Sequence, residues 1–396
     1  IPILAVVAIG NSHSDSLYTL ASRIDRRYSY VFTVLLYLTI GPLFAIPRCA
    51  STSFTVGIAP MLGNRAGEQR LLLLYSLLFF AIVLYCSLRP AKITLWIGKI
   101  INPIFLFFLF ILLVTVFWCS HTSTFSIVPA DPYDAHPLFS GVIEGYQTMD
   151  AIAGLAFGIV VVTIIRSYKV EDDGMIAKEI LHSGVLTGAL MGIIYVLTIL
   201  MGAKSRGHFE IAENGGVALA QVSQYYLGMS GIFILAVIIG LACLKTSIGL
   251  VTSCAAAFKE MFPNTFSYKT WAVLFSVSSF VISNFGLSKI IAYSIPVLML
   301  LYPLTMVLTI LALFERFFRK SKYVYVSTTI FTGCAALLEF TGALPEQVKE
   351  RFSWIAWLEN VKMNLPLASV GLSWVLPAVL GFLLGYILFR SREKDQ

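Results

Sequence analysis

Charge is what this chain lacks most. Of 396 residues, 12% are Asp, Glu, Lys or Arg, about half the share carried by a soluble domain. A soluble enzyme and a charge-rich disordered regulator are excluded on that ground. Paired cysteine is also missing. Cys49, Cys86, Cys119, Cys243, Cys254 and Cys334 stand singly in or beside apolar runs with no CxxC spacing, which excludes a disulfide framework and a zinc knot and leaves them as small apolar packing residues. Histidine is scarce. His13, His121, His136, His182 and His208 all fall in polar connections or at segment ends, whereas a haem or metal site in a helical bundle needs imidazoles at facing core positions. Long polar stretches are absent as well: the longest connections, 119–144, 204–227 and 341–366, are too short for an independent domain. The net charge of +7 comes without a basic stripe interleaved with aromatics, so nucleic acid is not an expected partner.

What is present is apolar length. Hydrophobic residues make up 58% of the chain, gathered into runs at 1–10, 30–58, 71–89, 95–118, 145–166, 180–203, 228–257, 270–286, 290–314, 323–340 and 367–389. A spanning helix needs about 20 such residues. The pattern predicts ten whole spans and one remnant in a single all-α integral membrane domain over 1–396. The run 30–58 exceeds one straight crossing and contains Gly41-Pro42 and Pro47, which predicts a bent helix. If the connection 11–29 is cytoplasmic, the Lys and Arg residues of the loops on that side outnumber those opposite by more than two to one, as the positive-inside rule requires. The C-terminal segment Arg390–Gln396 then faces the cytoplasm. The abrupt opening at Ile1 inside an apolar run predicts an absent first helix and half of a second.

Charges inside the runs are the strongest functional pointers, because each costs at least ~2.5–3.5 kcal/mol to insert unless paired or hydrated. They are Arg48, Asp150 and Lys245, with Glu339 at the end of its run. Asp150 opens a segment in which Gly154 and Gly158 form a small-xxx-small pair. Two readings stand there: close helix packing, or a discontinuous helix offering backbone carbonyls to an ion or amine. Arg48 follows Pro42 and Pro47, whose missing N–H groups free carbonyls. It either anchors those carbonyls or pairs with Asp150. Lys245 precedes Thr246 and Ser247 at mid-run, and these hydroxyls suit either interhelical hydrogen bonds or hard oxygen ligation of sodium.

Several blocks then carry a resemblance over essentially the whole chain: Leu35–Arg48 with its Gly-Pro-Leu-Phe-Ala-Ile-Pro-Arg ending, Gly145–Ile159, Ile282–Ser288 and Ser294–Leu298. In order and spacing they resemble the branched-chain amino acid:cation symporters of BrnQ type. The resemblance implies a LeuT-type fold of the amino acid–polyamine–cation superfamily, with an inverted repeat of five plus five helices and two peripheral C-terminal helices at 323–389. It implies leucine, isoleucine or valine as substrate and sodium or a proton as the co-transported cation, with no other cofactor. The run 145–166 becomes a broken helix whose carbonyls around Ala151–Gly154 meet the substrate amine, with Phe157, Gly158 and Phe44 lining the apolar pocket. Thr246 and Ser247 become sodium ligands, and Arg48, Asp150 and Lys245 candidates for coupling or gating. Lys245 departs from the family pattern, which is uncharged there; an ammonium turned toward the cation site would replace sodium.

The resulting expectation is a multi-pass carrier of a bacterial plasma membrane that imports branched-chain amino acids by alternating access, with lipid as its surroundings and no obligate protein partner. A same-fold carrier of another small zwitterion or nucleobase is the first alternative, and a membrane sensor that binds without transporting is the second. An enzyme is not expected, since no acidic or histidine cluster lies in the spans.

Overall fold

The computed structural model describes residues 2–12, 16–62, 68–89, 94–119, 127–129, 133–134, 137–146, 148–167, 173–212, 215–368 and 371–394; His13, His121 and His136 lie outside them. Every regular element among these residues is helical. In chain order they are α1 (Pro2–Asn11), α2 (Leu17–Ala21), α3 (Arg26–Leu38), a π segment (Thr39–Leu43), α4 (Ala45–Thr52), a second π segment (Ser53–Ile58), α5 (Ala59–Leu62) and α6 (Glu68–Ser87). A third π segment (Thr94–Ile101) leads into α7 (Asn102–Cys119), followed by α8 (Pro137–Tyr146), α9 (Asp150–Ser167), α10 (Asp173–Ser205) and α11 (Gly215–Met261). The chain continues through α12 (Tyr268–Ser283), α13 (Leu287–Leu313), a 3-10 turn (Glu315–Phe318), α14 (Lys322–Gly342), α15 (Glu346–Lys349), α16 (Ser353–Met363) and α17 (Val375–Lys394).

Eight of the helical stretches are long and apolar enough to cross a membrane. The two remaining runs expected as spans, 145–166 and 270–286, hold the shorter helices α9 and α12, of 18 and 16 residues. Local signals set several starts. Asp25 accepts from the backbone N–H groups of Arg27 and Tyr28 and caps α3, and those donors hold its carboxyl below the usual carboxylate range. Ser267 caps α12 in the same way through Thr270. Two boundaries differ from the apolar pattern. The run 228–257 is the second part of a longer rod, because α11 begins at Gly215 and breaks at Gly228, whose φ of 58° and ψ of −140° suit glycine alone. The run 367–389 becomes helical only at Val375, since Leu367 and Gly371 both adopt positive φ.

The main core gathers α1, α3, α4, α9, α11, α12, α13 and α14, with Leu36, Tyr37, Ile46, Ile152, Leu155, Ile248, Val251 and Tyr302 all buried. A smaller cluster joins α7 to α10 and α11 through Leu112, Val116, Met201 and Val222. The pair α14 and α17 packs by close backbone approach. A Cβ on Gly381 would stand 2.8 Å from the Ser327 carbonyl oxygen, and the Ser327 hydroxyl donates to the Gly381 carbonyl at 2.7 Å, the small-residue contact that helices use where lipid removes the hydrophobic drive. Outward-facing residues such as Leu74, Phe107, Leu186, Phe233 and Ile387 are apolar and exposed, as a bilayer-facing surface requires.

Helix ends are tied by charge. Glu315, 3% exposed, accepts from Arg23, whose guanidinium also reaches the Ser12 carbonyl, and Lys320 stands 3.6 Å from the same carboxylate. Ser16 donates to Glu260 at 2.7 Å. Glu339 is enclosed by Ser373 and by Lys362 at 2.7 Å.

Candidate functional site

Among the described residues the chain leaves helical geometry inside or between its long helices at Gly41, Met149 and Gly228, and such interruptions are where membrane proteins expose backbone polarity. The first interruption separates α3 from α4. Pro42 supplies no N–H, so the Tyr37 carbonyl, which a π turn would pair with residue 42, loses its partner. The Cys254 thiol of α11 donates to it at 3.5 Å. Gly41 leaves helical geometry at φ −92° and ψ −122°, and a Cβ there would stand 2.7 Å from the Cys254 sulfur. Helix α4 then restarts where the Arg48 N–H donates to the Phe44 carbonyl at 2.9 Å. The half-buried ring of Phe44 lies at this junction.

The second interruption, between α8 and α9, is of another kind. Met149 adopts a left-handed φ of 60°, uncommon for a residue with a side chain. Asp150 opens α9, and the first intrahelical bond runs from the Ala153 N–H to the Met149 carbonyl at 3.0 Å. The chain therefore leaves helical geometry at Met149, just before the expected Ala151–Gly154. The carbonyls of Ala151 and Gly154 are inside a regular helix, and the groups left open are the first-turn amides. Gly154 is buried, and a Cβ on Gly158 would collide with Ile9 of α1, which is the close packing that one of the two sequence readings offered. Gly158 is thus closed off by α1. Phe157 reaches α11, where a Cβ on Gly249 would come within 2.8 Å of its ring. No ring contact joins Phe157 to Phe44 among the described residues. The side chain of Ala151 lies outside what is described.

Polar side chains converge on this second break from two other helices. The Tyr195 hydroxyl of α10 donates to Asp150 Oδ2 at 2.6 Å and stands near the Thr148 hydroxyl. The half of α13 that carries Tyr302 brings its buried hydroxyl near the Met149 backbone and within electrostatic reach of Asp150, Tyr195 and Arg48. Among the described residues Arg48 makes no ion pair with Asp150; the carboxylate has a tyrosine partner instead, and the guanidinium is within electrostatic reach of Cys49 and Cys243. Tyr37 ties the two breaks together, since its hydroxyl donates to the Ala156 carbonyl of α9 at 3.2 Å.

The expected cation ligands point in different directions. Thr246 donates to the Ala242 carbonyl of its own helix at 2.9 Å, while Ser247 is fully buried beside the Cys49 thiol of α4. Lys245 turns toward α7, where its ammonium meets Asn102 Oδ1 at 3.1 Å and lies 4.0 Å from the centre of the Phe105 ring. A charge on a neutral oxygen and a π face satisfies the lysine without a carboxylate. Among the described residues no cluster of three or more His, Cys, Asp or Glu is placed to hold a metal ion.

The comparisons with known proteins decide the family. The model of the branched-chain amino acid transport protein family matches residues 1–392. The chain belongs to that family. It is 44% identical over 384 residues to the branched-chain amino acid permease BrnQ of Lactobacillus delbrueckii subsp. lactis, covering 96% of this chain and 85% of that protein. It is 36% identical to the permease BrnQ of Bacillus subtilis, over 100% of this chain and 87% of the relative. With the branched-chain amino acid transport system 2 carrier protein of Pseudomonas aeruginosa it shares 34% identity over the same fractions. Membership places the chain among multi-pass membrane transport proteins rather than enzymes. Within this family chain, Tyr195 and Tyr302 are the residues that sequence reasoning passed over. Their signal is a hydroxyl in the middle of an apolar run, which 18 tyrosines and 29 phenylalanines dilute.

Proposed function

We propose that the chain carries leucine, isoleucine and valine inward across a bacterial plasma membrane by alternating access, coupled to sodium or a proton. The observation that carries this reading is the second helix break, which sets a carboxylate and open first-turn amides within one turn of each other in a chain that matches the transport family end to end. A zwitterion is the ligand that needs both polarities, and an amino acid presents its ammonium and carboxylate that far apart. Asp150 takes the ammonium, Tyr195 holds the carboxylate in position, and Phe157 with Phe44 supplies apolar wall for an aliphatic side chain. Ser247 and Thr246 are the candidate oxygen donors for a cation.

The expected framework is a LeuT-type inverted repeat, in which α8 and α9 form one broken helix, with α14 and α17 as peripheral helices and the C-terminus in the cytoplasm. Binding of substrate and cation shifts the balance between outward-open and inward-open states without covalent chemistry.

Uptake of labelled leucine into proteoliposomes tests the proposal, with sodium and proton gradients imposed separately. Accumulation under one of the gradients, competed by isoleucine and valine but not by a nucleobase, is the expected result. Saturable leucine binding with no uptake under either gradient assigns the chain as a sensor; competition by a nucleobase moves the substrate class.

A further inference from the structure

Helix α16 wears its polarity inside out. Its charged residues turn toward the protein: Lys362 meets the buried Glu339 of α14 at 2.7 Å, and Glu359 meets Lys349 at 2.7 Å. Ile355, on the same side, is 1% exposed. The opposite face holds Trp354, Ala356, Trp357, Asn360 and Met363, all exposed and none charged. Trp354 and Trp357 are 55% and 66% exposed. A helix bathed in water places charge outward and aromatics inward, so this face was shaped for a medium other than water.

Depth and continuity identify that medium. Glu339 lies within a turn of Gly342, where α14 ends, so the Lys362–Glu339 contact pins the end of α16 level with the end of a membrane-spanning helix. From there an apolar groove of about 300 Å3, lined by Ile330, Phe331, Cys334, Leu338 and Pro377, runs between α14 and α17 and reaches Leu365 just beyond α16. The bilayer-facing surface of α14 and α17 therefore extends to the C-terminal end of α16. Arg351, exposed at the start of the helix, has no carboxylate partner among the described residues and complements a phosphate. Tryptophan is enriched where acyl chains meet headgroups, because its ring is apolar and its N–H is not.

We infer that α16 lies along the headgroup layer at the Gly342 end of α14, with Trp354 and Trp357 set at the boundary with the acyl chains and Arg351 on lipid phosphate. The contacts that Ser373 and Lys362 donate to the Glu339 carboxylate then make α16 the anchor that fixes the depth of the α14–α17 pair.

Tryptophan quenching in vesicles of phosphatidylethanolamine and phosphatidylglycerol tests this on the full chain. The chain has six tryptophans, so the emission difference between wild type and Trp354→Phe/Trp357→Phe isolates the two on α16. Quenching of that difference about threefold stronger by a lipid nitroxide near the headgroup than by one near the chain terminus, or by aqueous iodide, is the expected outcome. Strongest quenching by iodide places the face in water and overturns the inference. Lipid quenching that fades as protein density rises, with Ala356→Cys cross-linking between molecules, assigns the face to a second copy and overturns it equally. If the double variant does not accumulate, an environment-sensitive dye on Ala356→Cys, with the exposed Cys119 and Cys334 changed to Ser, reads the same question: a blue-shifted emission supports the headgroup placement and a water-like emission contradicts it.

Discussion

The two helix breaks use opposite means to solve one problem. At Gly41-Pro42 the group orphaned by proline is retaken inside the protein: the Tyr37 carbonyl goes to the Cys254 thiol, and Gly41 is flush against the same sulfur. Between α8 and α9 the polarity is left open, with a carboxylate, a left-handed Met149 and two tyrosine hydroxyls around it. A sealed break bends a helix, whereas an open one presents ligands. The difference teaches that proline and glycine mark where a membrane helix is interrupted, while the side chains of neighbouring helices determine whether the interruption is structural or chemical.

Asp150→Asn should separate the breaks most sharply. Removing the charge takes away an ammonium contact of about 2–3 kcal/mol, so leucine uptake at low substrate should fall by roughly 30- to 150-fold while unfolding temperature holds; uptake within about twofold of wild type would erase the distinction. Gly41→Val acts on the sealed break. Overpacking against Cys254 should cost about 1–3 kcal/mol of stability, measured as a lower unfolding temperature in detergent and largely recovered by adding Cys254→Ala. Leucine affinity per folded molecule should not change. Tyr195→Phe removes one hydrogen bond from Asp150 and should raise the half-saturation concentration about three- to tenfold with maximal rate nearly unaltered. A loss confined to maximal rate would make Tyr195 a gating contact rather than a positioning one. Smallest of all, Lys245→Met should leave uptake and its response to sodium within about twofold, because the ammonium faces Asn102 and Phe105; a newly acquired sodium dependence would instead place Lys245 in the coupling site.

Much of the bundle was legible in the sequence because apolar length is a one-dimensional signal. Eight helical stretches are long and apolar enough to cross a membrane, and the run read as bent does leave helical geometry at Gly41. The site was less legible. Asp150 stood out as a charge in an apolar run, but Gly154 and Gly158 read equally as a packing pair or as a break, and it is Gly158 that lets α1 approach α9. Local sequence does not distinguish a glycine that frees the backbone from one that admits a neighbour. Pairing of Arg48 with Asp150 was one of two readings of that arginine, and a tyrosine forty-five residues away from Asp150 in sequence took the carboxylate instead. Hydroxyl orientation was hidden for the same reason: Thr246 and Ser247 are adjacent, and the helix turns them to different neighbours.

The central claim is that the break between α8 and α9, and not the one at Gly41-Pro42, receives the amino acid. Equilibrium binding of labelled leucine to the purified wild type, Asp150→Asn and Gly41→Val/Cys254→Ala chains tests it most directly. Saturable binding by the wild type and the Gly41 double variant, with loss in a folded Asp150→Asn chain, is the predicted result. Wild-type leucine affinity in Asp150→Asn would contradict it.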